Sequence, residues 1–167
     1  MPRWDPEQIV AQSVLERLTD RDPHNQAPEM APTRSQSVKQ LKASVRRDLE
    51  WLLNTRRTPE PAGGEYEEVQ RSVYNYGLPD LSSLSWQSPR DRQRLCRMLE
   101  QALAVFEPRL RKAKVMALEA SASAQHVLRF QIEGMLDMAP APEHISFDTV
   151  LQLTSGEYQV KGEPSAG

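Results

Sequence analysis

The feature that most constrains this chain is a change of hydrophobic period at Phe106-Glu107-Pro108-Arg109. Before this point, apolar residues recur at the spacing of one helix face, whereas after it they alternate with polar residues as in half-buried strands. Helices followed by a run of strands predict an α+β fold, with helices packed on one face of a small antiparallel sheet. The acid and the base on either side of Pro108 therefore fall at the predicted joint between the two halves.

Two long helices are predicted before the joint. The first spans residues 37–53, with Ser37 as its N-cap and one apolar stripe, from which Trp51 lies apart. The second begins after Ser88, because a capping serine, a proline at the first helical position and Asp91 near the positive end all favour a helix start. Its predicted buried face consists of Leu95, Met98, Leu99, Ala102, Val105 and Phe106. Residues 58–68 are predicted to be a loop, and residues 73–81 an ordered irregular connection.

The strands are predicted after the joint from alternating patterns. They are Leu110–Leu118, a strand around Leu128, Phe130 and Ile132, a strand containing Ile145, Phe147, Leu151 and Leu153, and the short segment 158–160. Residues 121–124, 137–144 and 155–156 are the predicted connections. An open sheet leaves edges that another chain can pair with. Two interpretations remain open: Arg111, Lys112 and Lys114 protect the first strand, or a partner adds a strand to the sheet.

The N-terminal segment is predicted to carry a short helix over residues 7–19. Val14, Leu15 and Leu18 share its apolar face, and the proline-containing stretch 23–36 that follows reads as a linker. Either the helix folds back on its own domain, or it docks on a partner in the manner of a helix in a groove. The predicted organisation is an N-terminal docking helix and linker (1–36), one α+β domain (37–162) and a disordered tail (163–167).

Composition and charge favour a soluble cytoplasmic protein. The net charge is −2, the mean hydropathy is −0.64, and the single cysteine, Cys96, excludes an internal disulfide. No apolar run approaches the roughly 20 residues that a membrane-spanning helix needs. The N-terminus also lacks the basic and then apolar pattern of a signal peptide.

Catalytic chemistry finds little support in the residue pattern. Glu107 is the best candidate acid, and a glycosidase would need a second carboxylate about 5–9.5 Å away, for which Asp48, Glu50 and Asp80 are conceivable. Cys96 falls inside the second helix, where a cysteine is more often a small buried hydrophobe than a nucleophile. The histidines, His24, His126 and His144, show no metal-ligand spacing, and no glycine-rich phosphate loop is present. No cofactor, metal or enzymatic activity is therefore predicted.

Nucleic-acid binding is a further alternative, because basic residues concentrate around the joint. They are Arg90, Arg92, Arg94, Arg97, Arg109, Arg111, Lys112 and Lys114. Against this interpretation, the pI of the chain is about 6.0, whereas nucleic-acid-binding domains usually carry a basic surplus overall. The same charges suit acidic surfaces of protein partners.

Several segments, taken in order, resemble the TssE family, the lysozyme-like wedge subunit of the type VI secretion baseplate, which is related to a contractile-phage baseplate wedge protein. They are Ser13-Val14-Leu15-Glu16-Arg17-Leu18-Thr19-Asp20, Asp48-Leu49-Glu50-Trp51-Leu52-Leu53-Asn54-Thr55-Arg56, Tyr74-Asn75-Tyr76-Gly77-Leu78-Pro79-Asp80-Leu81, Phe106-Glu107-Pro108-Arg109 and Ile145-Ser146-Phe147-Asp148-Thr149. Together they reach from residue 13 to about residue 160.

The resemblance implies a structural and non-enzymatic role in linking baseplate wedges to the contractile sheath. Implied partners are the baseplate subunits TssF, TssG and TssK and the sheath subunits TssB and TssC, without nucleic acid and without membrane insertion. The implied location is a baseplate docked on the inner membrane, on the cytoplasmic side of a bacterial cell. The family's Glu-Pro-Arg motif falls on Glu107, Pro108 and Arg109, which we expect to act as a latch within the fold or as a clasp for a partner.

Overall fold

The structure is a computed structural model that describes residues 10, 12–19, 32–60, 63–85, 87–118 and 127–162. Its helices are α1 (Val14–Leu18), α2 (Arg34–Asn54), α3 (Glu67–Gln70) and α4 (Pro89–Phe106), with a 3-10 helix at Val73–Asn75. The strands are β1 (Leu110–Leu118), β2 (Val127–Leu136), β3 (Glu143–Gln152) and β4 (Glu157–Lys161). The predicted turn at 121–124, the predicted tail and part of the predicted linker lie outside the described residues.

Helix α2 begins earlier than its apolar pattern predicted. The Thr33 hydroxyl accepts the Gln36 N–H, and the Gln36 side chain returns to the Thr33 N–H, which is a reciprocal capping box. The prediction that Ser37 is the N-cap is wrong, because this residue is buried inside the helix. The predicted stripe is confirmed, and its buried members are Leu41, Val45, Leu49, Leu52 and Leu53. Trp51 is 53% exposed, as its position off the stripe predicted.

Helix α4 begins as predicted but presents a different face to the core. Ser88 caps it by accepting the Asp91 N–H at 3.3 Å, and Pro89 occupies the first turn. The buried face consists of Leu95, Cys96, Leu99 and Leu103. Val105, predicted to be buried, is 44% exposed. Apolar residues cover a wider part of this helix than one packing partner can bury. Contact with the sheet therefore determines which apolar stripe is buried.

The four described strands form one antiparallel sheet in the order β1-β2-β3-β4. Side chains on one face of the sheet are buried, among them Leu128, Phe130 and Ile132, which confirms the alternation seen in the sequence. Residues on the other face, such as Arg129 and Gln131, are more accessible. Leu153 lies in the turn after β3 rather than within that strand, which begins at Glu143, inside the predicted connection, and ends at Gln152.

The helices cover one face of the sheet, which confirms the α+β prediction. Helix α4 packs on β1 and α2 packs on β4. The segment after α2 returns through a short bridge, in which Leu78 N–H donates to the Thr55 carbonyl at 2.8 Å. Gly77 has a φ of 105°, and a side chain there would collide with the Thr55 carbonyl. This glycine therefore fixes the connection between the two long helices.

Candidate functional site

The joint between α4 and β1 is a tight turn through the predicted motif. Glu107 is the C-cap of α4, and its N–H donates to the Leu103 carbonyl at 2.9 Å. The Leu110 N–H then donates to the Glu107 carbonyl at 3.0 Å, which brings the chain into β1. Pro108 occupies the turn, where its missing N–H prevents the helix from continuing. The turn leaves the side chains of Glu107 and Arg109 next to each other.

The Arg109 guanidinium binds the Glu107 carboxylate through two parallel hydrogen bonds. Its Nε donates to Oε1 at 2.6 Å, and its Nη2 donates to Oε2 at 2.5 Å. The Glu107 residue is only 3% exposed, so its carboxylate depends on the protein for partners. Hydrogen bonding to Glu107 raises the pKa of Arg109 above its usual value, although partial burial opposes the shift. Paired, charge-assisted bonds of this kind are among the strong interactions in proteins.

The same guanidinium reaches across to α2. Arg109 Nη2 donates to Asp48 Oδ2 at 2.6 Å, and Nη1 donates to Ser44 Oγ at 3.4 Å. We call Glu107, Arg109 and Asp48 the joint latch, because together they tie the helix–sheet turn to the middle of α2. The sequence pattern had named Asp48 only as a conceivable catalytic partner.

The charge pairing continues from the joint latch to α1. Arg47 Nε and Nη2 both donate to Asp48 Oδ1 at 3.2 Å, and Arg47 Nη1 donates to Glu16 Oε1 at 3.2 Å. Glu16 is 8% exposed, and the Arg47 guanidinium also lies 5.1 Å from the Trp51 ring centroid. Acid and base thus alternate from α1 to β1. Nothing local in the sequence marks Glu16 or Arg47 for this role.

An aromatic pair lies beside the joint latch. The rings of Tyr76 and Phe106 meet edge to face, with centroids 5.3 Å apart. Burial raises the pKa of Tyr76, and the negative charges of Asp48 and Glu107 raise it further. The Tyr76 ring therefore lies close enough to the joint latch for the charges of Asp48 and Glu107 to act on its hydroxyl.

The geometry of the joint latch suits a structural role better than glycan hydrolysis. A glycosidase needs one protonated acid and one free carboxylate around a sugar-sized cleft. Here Glu107 and Asp48 both accept hydrogen bonds from Arg109, so neither carboxylate is free to act on a sugar. Asp80 lies on the 78–82 loop, where hydrogen bonds from Ser82 lower its pKa.

The environments of the other candidate reactive residues also suit a structural role. Cys96 is buried in α4, and burial raises the pKa of its thiol, so the reactive thiolate is disfavoured. His144 is exposed on β3, and its Nε2 lies 3.9 Å from Glu133. His24 and His126 lie outside the described residues. Within the described ranges, no group of histidine, cysteine and acidic residues is arranged to hold a metal.

Helix α1 turns its polar side inward and its apolar side outward. Glu16 faces Arg47 of α2, and the preceding Val10 N–H donates to Ser37 Oγ at 3.2 Å. The predicted docking residues Val14, Leu15 and Leu18 are 70%, 50% and 79% exposed. The structure thus brings α1, through Glu16, into the same series of ion pairs as the joint latch. Partner docking itself stays a prediction.

Helix side chains occupy both edges of the sheet. On the β4 edge, Asn54 Oδ1 accepts the Tyr158 N–H at 2.8 Å, and its Nδ2 donates to the Tyr158 carbonyl at 2.9 Å. On the β1 edge, Glu100 accepts the Val115 N–H at 3.0 Å. Val160 directs its backbone groups to the same side as Tyr158, and no side chain in the described parts of the chain bonds to them. The β4 edge is therefore closed at one position and open at the next.

The model of a family described as baseplate wedge protein gp25 matches residues 39–141. The match covers more than half of the chain and includes every member of the joint latch. The protein belongs to the baseplate wedge protein gp25 family. This gp25-family protein therefore has a structural role in the baseplate of a contractile injection system, in contact with other baseplate proteins.

The family assignment agrees with the resemblance to TssE, which is the type VI homologue of gp25. No individual curated protein matches this gp25-family chain. Among the helices that the structure describes, none has the length and apolar character needed to cross a membrane.

Proposed function

We propose that this protein is the TssE wedge subunit of a type VI secretion baseplate, joining the wedge to the contractile sheath and helping to initiate sheath assembly. The observation that carries the proposal is the gp25-family match across the joint latch, together with the TssE-like segments that flank it. In this proposal the wedge partners are TssF, TssG and TssK, and the sheath partners are TssB and TssC. The complex works on the cytoplasmic side of a bacterial inner membrane and has no enzymatic activity.

The joint latch gives this role a mechanical basis. A subunit that joins two assemblies must keep its docking surfaces at a constant angle. Arg109 bonds to the turn before β1 and to α2 at once, and Arg47 extends the pairing to α1. Rotation of the sheet against the helices would break several partly buried ion pairs together, which resists such movement.

Wedge docking is assigned to the exposed apolar side of α1. Val14, Leu15 and Leu18 project from a helix whose other side is held by Glu16, so a partner groove would receive a pre-positioned surface. A helix of five residues has little stability in isolation, and its attachment to α2 supplies the order that docking needs.

Sheath attachment is assigned to the open part of the β4 edge. An incoming strand would hydrogen bond to the backbone of Val160, beyond the position that Asn54 occupies. Main-chain pairing fixes the register of the first sheath subunit while tolerating side-chain change. This suits an element that starts a repeating assembly.

Two experiments test these assignments separately. Deletion of residues 1–22 should abolish co-purification of the wedge subunits, and unchanged recovery would refute the α1 assignment. Val160→Pro removes one backbone donor from an edge position where proline is tolerated, and it should reduce sheath assembly. Val160→Ala keeps the N–H and serves as the matched control. Equal sheath assembly by both variants would contradict pairing at this edge.

A further inference from the structure

An apolar stripe on α4 lies at the margin of the core, where Ala102 and Phe106 pack against buried residues but the stripe is not fully covered. Met98 and Ala102 are half-buried, and Val105 is 44% exposed, although the sequence pattern had assigned all three to the buried face. With Phe106 they line a groove of about 510 Å³ between α4 and the chain that leads from α3 to the 78–82 loop. We call this surface the α4 groove.

Arginines surround the α4 groove. Arg57, Arg71 and Arg94 line it and are exposed, and Asp80 is its acidic member. The Asp80 carboxylate is already engaged by the N–H and the hydroxyl of Ser82, at 3.0 and 2.8 Å. The groove therefore combines an apolar floor with a positive rim.

A buried acceptor also lines the α4 groove. Asn75 is 4% exposed, and its Nδ2 donates to Gln70 Oε1 at 2.7 Å. Its Oδ1 has no hydrogen-bond partner among the described residues. This oxygen is itself buried, so the groups that a docked segment can contact are the arginines and the apolar side chains of the groove.

We propose that the α4 groove binds a carboxylate-bearing amphipathic segment of a neighbouring baseplate subunit. Apolar side chains of the segment would pack on Met98 and Val105, and its carboxylates would meet Arg71 and Arg94. The proposal rests on the wedge role above, and it adds a second contact surface that is separate from α1 and from the β4 edge.

The chemistry of the groove favours a protein segment over nucleic acid. A phosphate can pair with the arginines as a carboxylate does, so the floor of the groove is what separates the two classes of partner. The apolar floor also gives a phosphate backbone nothing to pack against. A peptide supplies apolar groups and carboxylates together.

The experiment co-expresses the full chain with the proposed wedge subunits TssF, TssG and TssK and measures their affinity for each variant. Val105→Glu places a negative charge in the groove, and Val105→Lys places a positive one at the same exposed position. We expect Val105→Glu to weaken binding by about tenfold and Val105→Lys to weaken it less. Val73→Glu is the matched control, since Val73 is 90% exposed and lies outside the groove. Arg71→Glu with Arg94→Glu should weaken binding and flatten its salt dependence.

The other possible results would each reject one part of the proposal. Equal binding by Val105→Glu and Val73→Glu would reject the groove as a contact surface, while the wedge role stands. Equal loss from Val105→Glu and Val105→Lys rejects the acidic character of the partner. Binding of labelled duplex DNA or RNA that Arg71→Glu abolishes would replace the protein segment with nucleic acid. If the unmodified chain binds none of the wedge subunits, the proposed function itself fails, and this inference fails with it. Thermal melting of each variant checks that it is folded.

Discussion

The side-chain amide of Asn54 pairs with both backbone groups of Tyr158, at 2.8 and 2.9 Å. Asn54 is the last residue of α2, so a helix end occupies the position that the peptide group of a fifth strand would take. An unpaired strand edge is a template for uncontrolled association, and native proteins cover or interrupt such edges. The pairing therefore both fastens α2 to the sheet and limits where another strand can add.

Asn54→Ala should open the β4 edge. Loss of the two hydrogen bonds to Tyr158, and of a third to the Glu50 carbonyl, should lower the free energy of unfolding by about 1–2 kcal/mol in urea titrations. The exposed edge should also promote self-association, which sedimentation at increasing protein concentration would detect. Asn54→Asp is the control, because its carboxylate can still accept the Tyr158 N–H but cannot donate to the carbonyl. A monomeric Asn54→Ala variant of unchanged stability would show that the amide does not control the edge.

Arg109→Ala should destabilise the folded protein because it leaves the buried Glu107 carboxylate without its main partner. We expect a loss of about 3 kcal/mol in the free energy of unfolding. Adding Glu107→Gln should recover part of this loss, since the uncompensated charge is removed. Arg111→Ala is the matched control, because Arg111 pairs with Asp137 on the surface and should cost less than about 1 kcal/mol.

The same variants separate a latch from a partner clasp. A latch within the fold predicts that Arg109→Ala binds the wedge subunits normally under conditions where it remains folded. A clasp predicts that assembly, or the angle of sheath attachment, is lost before stability is. Co-purification at a temperature well below the unfolding transition of the variant distinguishes the two roles.

Strands and the joint were predictable from sequence because their signals are local. Alternation around Phe130 and the Ser88-Pro89 helix start each depend on residues close along the chain. The partners of the joint are not local, since Arg109 and Asp48 are separated by 61 positions. Charged residues on a helix look alike in sequence whether they face solvent or a distant arginine. The motif could therefore be located, but its pairing could not.

The buried face of α4 shows a second limit of prediction from sequence. Its apolar residues cover a wide arc, and either the stripe through Leu103 or the stripe through Val105 could face a sheet. Only the packing against β1 determines which stripe is buried. The same limit explains why Thr33 was missed as a cap: the apolar stripe of α2 begins after the helix does.

Tyr158→Phe should stabilise the protein and reduce its sensitivity to alkali. The Tyr158 hydroxyl is buried without a hydrogen-bond partner among the described residues, so its removal should add about 1 kcal/mol to the free energy of unfolding at neutral pH. Burial also raises the pKa of Tyr158 above the usual value of about 10. The unfolded chain then loses its phenolic proton first as the pH rises, and stability falls above about pH 10.

Urea titrations from neutral to alkaline pH would test this expectation. Tyr158→Phe should show a smaller alkaline loss than the unmodified chain, and the loss that remains should come partly from Tyr76, whose pKa is also raised. Tyr66→Phe alters a side chain that is 58% exposed and should change neither property. A destabilised Tyr158→Phe variant would mean that the hydroxyl has a partner in solution.

Replacement of Val14, Leu15 and Leu18 by serine should impair wedge docking without unfolding the protein. All three side chains are largely exposed, so the free energy of unfolding should change by less than about 0.5 kcal/mol for each. Loss of the apolar contact should lower the affinity for the wedge subunits by about tenfold or more. Val73→Ser is the control, since it removes an exposed apolar side chain outside α1. Normal recovery of the wedge subunits by the triple variant would show that these three residues do not contact a partner. The joint latch or the α4 groove would then be the contact surface.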